Sequence, residues 1–133
     1  MAGRRGSVTA EFVLILGVLT TVLFLTVELG MALNVRLLVA SAAREGARRA
    51  AIDGGDTPGA RQAIARQLGL TSLIEEEAEV DISPASASYG TMVTVSVRVA
   101  YRWRTPVARS ILGHGVILRG EAASRSEKVR TGT

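Results

Sequence analysis

The sequence predicts an α+β protein: a long N-terminal helix, a short second helix and a small antiparallel three-stranded sheet. Three observations lead there. An apolar stretch from Phe12 to Val39 runs into a segment rich in helix formers, and no proline interrupts residues 1–55. Residues 58–68 repeat apolar side chains at helical spacing. Residues 91–104 alternate apolar and polar side chains over a length no turn would need, which is the period of a strand with one buried face. The apolar excess is concentrated rather than spread: the 133-residue chain is 47% hydrophobic with only 4% aromatics, unlike a small soluble core built around rings.

The first helix is expected over residues 7–52. Between Ser7 and Val27 the only charge is Glu11, and such a segment would rise roughly 30 Å, about the hydrocarbon thickness of a bilayer. A cleaved secretory signal should end in a small-residue site and a change of character. Here the helical composition continues instead through Glu28-Leu29-Gly30 to Ile52. Residues 40–51 carry small side chains four apart: Ala42, Gly46 and Ala50 form one row, Ala43, Ala47 and Ala51 another. Such rows let another backbone approach closely, either this chain's own domain or a neighbouring subunit. Glu45 with Arg49, and Arg49 with Asp53, have the spacing of helix-surface ion pairs.

Asp53-Gly54-Gly55-Asp56 breaks the helix. Thr57-Pro58 then reads as an N-cap followed by proline at the first helical position. Ala60, Ala63, Ile64, Gln67 and Leu68 make the inner face of a second helix that Gly69 stops near Leu70. The first strand takes Ala78, Val80 and Ile82 inward, with Glu79, Asp81 and Ser83 outward, before Pro84. A small polar loop over residues 84–90 leads to the clearest strand, Thr91 to Arg104, with Val93, Val95, Val97, Val99, Tyr101 and Trp103 on one side. A helical turn is expected between Pro106 and Gly115. The last strand follows from Gly115 to about Arg125, and a polar tail from Ser126 should fray. So small a sheet needs the long helix as a partner for its apolar face.

Charge and composition remove several function classes. With no cysteine and one histidine, His114, thiolate metal sites, disulfides and multi-histidine metal centres are excluded. No cofactor and no catalytic residues are expected. Net charge is +4, with a basic first block, an acidic middle containing Glu75-Glu76-Glu77, Glu79 and Asp81, and a basic last third. Arg98, Arg102 and Arg104 share the outer face of the long strand, where they would be solvated or meet that acidic block. Without interleaved aromatics they do not suggest a nucleic-acid partner.

Glu11 does not suit a plain anchor, because a carboxylate inside an apolar segment must snorkel to the headgroups or find a partner. A basic leader ending at Gly6, followed by Ser7-Val8-Thr9-Ala10-Glu11-Phe12 and an apolar run, resembles the type IV prepilin processing signature. Arg5-Gly6-Ser7-Val8-Thr9-Ala10-Glu11-Phe12-Val13, with Glu28-Leu29-Gly30 and the Ala42-Ala43-Arg44-Glu45-Gly46-Ala47-Arg48 block, looks like the TadE-like family. Its members are minor pilins or pseudopilins of the tight-adherence (Flp-type) pilus system. The resemblance covers about the first fifty residues; it departs from the family in having no proline inside the apolar run, which implies a straighter helix.

The resemblance implies a 1–6 leader removed by a prepilin peptidase that cuts between Gly6 and Ser7. It implies a 7–52 transmembrane and assembly helix and a 53–133 extracytoplasmic domain. Glu11 and Phe12 would serve subunit assembly, Glu11 pairing with the new α-amino group of a neighbour. The implied partners are the cytoplasmic membrane, the peptidase, other pilin or pseudopilin subunits and the pilus assembly machinery. It also implies a single pass of the inner membrane with the N-terminus cytoplasmic, and an extracellular pilus as destination. A count of Arg4 and Arg5 against Arg36, Arg44, Arg48 and Arg49 points to the opposite orientation. At 133 residues the chain is longer than the very short major subunits typical of that class, which favours a minor or priming role. The alternative is a permanent single-pass membrane protein whose outer domain binds a partner.

Overall fold

The computed structural model describes residues 2–69 and 78–129. The helix α1 (Ala2–Asp53) is 52 residues long, roughly 78 Å, and takes in the leader as well as the expected 7–52 segment. After it come α2 (Pro58–Gly69), β1 (Glu79–Ser83), β2 (Met92–Arg102), α3 (Pro106–Leu112) and β3 (Gly115–Arg125). The sheet is antiparallel in the order β1-β2-β3, so the fold is the expected α+β arrangement. The end of the second helix near Leu70, the acidic residues 75–77 and the last residues of the tail lie outside the described residues.

The molecule divides along α1. Up to Val27 the helix stands alone; from Glu28 to Asp53 it is the spine on which everything else packs. Strand β2 runs antiparallel to it. Val95 lies near Gly46, Gly120 (opposite Val97) meets Val39, and Tyr101 reaches Glu28. The lengths agree, since eleven strand residues and the helix from Glu28 to Ala51 each rise roughly 35 Å. The β2–α3–β3 connection therefore lies at the end of the domain nearest the bare helix.

Side-chain size decides how closely the layers approach. Val93, Val95, Val97, Val99 and Tyr101 are buried on one face of β2, as the alternation predicted. Opposite them α1 offers Val35, Val39, Ala42, Ala43, Ala47 and Ala50, all buried. A Cβ on Gly120 would stand 2.7 Å from the Val39 carbonyl oxygen, and one on Gly46 would stand 2.5 Å from Ile64 Cγ1. Both glycines are thus contact points where a methyl group fits only if a neighbour shifts: backbone at Gly120, the Ile64 side chain at Gly46. Ala60, Ile64 and Leu68 of α2 fill the other flank of α1, with Ala63 and Gln67 at its half-buried margin.

The local signals at the breaks are realised in hydrogen bonds. Gly54 and Gly55 take φ of +88° and +123°, and both donate to the Ala50 carbonyl at 2.8 Å. Side chains other than glycine rarely adopt those angles. Thr57 caps α2 by accepting from the Ala60 N–H at 3.2 Å, and donates to Asp53 at 2.9 Å. The distal end of the domain is stitched to the same corner. Ala87 N–H donates to Gly54, and both Glu127 N–H and the Ser126 hydroxyl donate to Ala51.

Three expectations are corrected. Glu45 pairs with Arg48 at 2.8 Å rather than with Arg49, which reaches Asp53 at 3.2 Å. The shorter i,i+3 reach lets Arg48 make two hydrogen bonds to one carboxylate, and this lowers the pKa of Glu45. The long strand ends at Arg102, not Arg104, because the backbone of Arg104 leaves the ladder for a side-chain acceptor on α1. Ala78 precedes β1 instead of opening it.

Candidate functional site

The bare half of α1 is the first unusual surface. Val13, Leu14, Ile15 and Leu16 are consecutive and all at least half exposed, so the apolar surface covers the whole circumference of the helix rather than one stripe. A helix hydrophobic all round is stable only when lipid or other helices cover it. Two of its hydroxyls are already satisfied within the helix. Thr21 and Thr26 turn their hydroxyls back to the carbonyls of Gly17 and Val22, each at 2.8 Å, as threonine does in an apolar helix. Glu11 and Phe12 both lie exposed on this segment, as do Gly6 and Ser7 at its start. Glu11, Phe12, Gly6 and Ser7 thus share one continuous helix and face outward.

Ala42, Gly46 and Ala50 are placed differently. They are buried beneath α2 and the sheet of the same chain, so in the monomer the small-residue row is a seat for its own domain.

Where the bare helix meets the domain stands the residue that sequence reasoning passed over. Glu28 is 0% exposed. Its Oε1 accepts the Arg104 N–H at 2.6 Å and the Tyr101 hydroxyl at 3.4 Å; its Oε2 accepts the Thr105 N–H at 3.2 Å. Thr105 is in turn the N-cap of α3, accepting from the Ala108 N–H at 3.2 Å. A single carboxylate on α1 therefore ties down the end of β2 and the start of α3. Burial, then the nearby Glu28 charge and its hydrogen bond, raise the pKa of Tyr101 and keep its phenol a donor. The signal was present in the sequence: Glu28 is the only ionisable side chain between Phe12 and Val35. A lone carboxylate there needs donors from elsewhere in the fold.

Just outside this clamp lie Arg102, Trp103, Arg104, Arg109 and His114, around an open cleft of about 500 Å³. Trp103 is half-buried and meets Tyr101 edge to face, with ring centroids 5.5 Å apart. It belongs to the domain's base rather than to the strand face. On the outer sheet face Arg98 reaches Glu79 at 3.5 Å, one of the acidic partners anticipated for the arginine stripe.

The residues that carry this geometry coincide with a known family pattern. Residues 6–48 match the TadE-like protein family. The matched segment spans the exposed helix, Glu28 itself, and Ala42 and Gly46 of the small-residue row; the donors to Glu28 at residues 101–105, and Ala50, lie outside it. No curated protein and no solved structure gives a significant match. The TadE-like match and the long apolar helix are consistent with a pilus-related membrane protein.

Proposed function

We propose that this chain is a pilin-like subunit, a minor pilin or pseudopilin, for biogenesis of a tight-adherence type pilus. The observation that carries the reading is the division of α1. About twenty residues present apolar side chains on every side, while the rest of the helix buries one side against its own domain. Such a segment is suited first to lipid and then to neighbouring copies of itself, since both environments cover apolar surface and leave no backbone group unpaired. Its role is mechanical: the subunit waits in the inner membrane, N-terminus in the cytoplasm, until the assembly machinery moves the helix into a fibre. A prepilin peptidase removes residues 1–6. The new α-amino group of Ser7 and the Glu11 carboxylate of a neighbour then supply opposite charges near the membrane edge, while Phe12 and the apolar residues after it supply the packing.

Sequencing the N-terminus of the protein purified from its native host tests this directly. Ser7 as first residue supports the reading, whereas retention of Met1 or Ala2 refutes the processing and favours a permanent anchor with an outer partner-binding domain. Glu11→Ala should leave membrane insertion unchanged and reduce recovery in sheared pili. Normal incorporation of that variant would remove Glu11 from the assembly role.

A further inference from the structure

Three exposed features find no partner within the described residues of a single chain. The first is a pair of opposite charges on α1: Glu11 and Arg36 are both exposed, and among the described residues neither makes an ion pair. The second lies on the outer side of the covered half of α1, where Leu33 and Leu37 are exposed on either side of Arg36. The third is a pair of apolar clusters at opposite ends of the domain. Ile111, Leu112 and Ile117 are exposed at the end nearest the bare helix. Tyr89, Met92 and Val129 are exposed at the distal end, around the hydrogen bonds that stitch Ser126 and Glu127 to Thr91 and Ala51.

One displacement covers all three. Glu28 at the base of the domain and Ala51 at its distal end lie roughly 35 Å apart along α1. Glu11 and Arg36 lie roughly 37 Å apart on the same helix. A second copy moved outward along α1 by that distance, and sideways by about 10 Å, rests its base on the distal end of the first. Its bare segment then runs along the outer side of the first copy's covered half, beside Leu33 and Leu37. Its Glu11 comes level with the first copy's Arg36.

Resting on the pilin reading above, we propose that copies of this chain stack head to tail. The base of each domain sits on the distal end of the copy below it, and Glu11 of the outer copy pairs with Arg36 of the inner one. Lipid would cover the basal cluster but would leave the distal cluster bare and the Arg36 charge unmatched. The path of Glu11 gives the electrostatic reason. Assembly carries it outward from the cytoplasmic boundary, and a carboxylate left in hydrocarbon is costly. A shift of roughly 37 Å exceeds the roughly 30 Å of hydrocarbon, so the displaced carboxylate emerges beyond the lipid, where Arg36 of the next copy stands. With two oxygens, the same carboxylate can also accept from the Ser7 α-amino group of a different neighbour. Because the two contacting faces differ, the contact is heterologous. Repeated by translation it does not close, and it extends a fibre rather than ending at a dimer.

Because the chain has no cysteine, cross-links report only on engineered positions. The full chain carrying both Met92→Cys and Ile117→Cys is expressed in its native host, and sheared pili are treated with a short bifunctional maleimide. Within one chain the two sites lie roughly 27 Å apart, since Ile117 pairs with Ala100 toward the other end of β2 from Met92. Any bridge between them therefore joins two copies. The expected result is a ladder of dimers, trimers and larger species from the double variant, and none from either single variant. Arg36→Glu should reduce that ladder roughly tenfold, and Arg36→Lys should largely keep it. Incorporation into pili without a ladder overturns the stacking and leaves the pilin reading standing. A dimer from Ile117→Cys alone shows a two-fold contact and also overturns it. An unchanged ladder in Arg36→Glu overturns the pairing with Glu11. Absence of the chain from sheared pili, with Met1 or Ala2 retained, overturns the pilin reading itself and the stacking with it.

Discussion

Removing the Glu28 carboxylate should open the end of the domain nearest the bare helix without unfolding the whole. In Glu28→Ala the N–H groups of Arg104 and Thr105 lose their acceptor, and the Tyr101 hydroxyl is left buried without its partner. Hydrogen bonds to a charged group contribute about 1.5–3 kcal/mol each. Relief from burying the carboxylate offsets part of that loss. A net cost of about 3 kcal/mol raises the local opening equilibrium roughly a hundredfold. The distal stitches at Ala51 and Gly54 do not involve Glu28, so the effect should stay local. Trypsin reports this in the full-length protein in detergent, because Arg102, Arg104 and Arg109 all lie in or beside the affected connection. Cleavage there should accelerate roughly a hundredfold while cleavage at Arg61 in α2 stays unchanged. Glu28→Gln keeps one acceptor oxygen but turns a donor toward a donor, so it should show roughly a tenfold effect. Equal cleavage rates in wild type and Glu28→Ala would refute the clamp. Parallel acceleration at Arg61 would show that Glu28 holds the whole domain rather than one end.

Two further outcomes follow from the packing. Gly120→Ala places a methyl group against the Val39 carbonyl, which cannot move without bending α1, whereas Gly46→Ala meets the end of the Ile64 side chain, which can rotate. Unfolding free energies from urea titrations should therefore fall more for Gly120→Ala, by about 1–3 kcal/mol, and the reverse order would refute this account of the contacts. Since the folded pKa of Tyr101 is raised, its contribution to stability is fully present below the ordinary tyrosine pKa, about 10. That contribution is lost as pH rises through the folded value. Tyr101→Phe should remove this alkaline slope from a pH series of unfolding midpoints, and an unchanged slope would assign it to another group.

The two-part helix gives the chain a simple division of labour. Most of the described apolar side chains before Glu28 are exposed, so they remain available to lipid or to other helices. After Glu28, alanine and glycine let the sheet approach so closely that a methyl group at Gly120 fits only if backbone shifts. A core of small residues on one side and valines on the other needs little aromatic bulk, which accounts for the 4% aromatic content.

Element type was largely readable from local pattern because helix, turn and strand are short-range choices. The valine alternation of β2, the Thr57-Pro58 cap and the Gly54-Gly55 break are decided by side-chain direction and allowed φ within a few residues. The β3 boundaries, Gly115 to Arg125, are those read from the sequence. Partners across the fold were not readable in the same way. The row of Ala42, Gly46 and Ala50 suits a sheet of the same chain as well as another subunit. Only the position of β2, β3 and α2 around α1 covers it from within. Likewise nothing near Glu28 in the chain supplies its donors, which come from residues 101–105, more than seventy positions away. Whether a lone carboxylate in an apolar helix is exposed, as Glu11 is, or clamped, as Glu28 is, depends on what the rest of the chain brings to it. Composition and period establish a long apolar helix carrying a small sheet. Long-range contact decides where that helix stops being surface and becomes core, because burial depends on the distant groups that arrive and not on the residue's own neighbours.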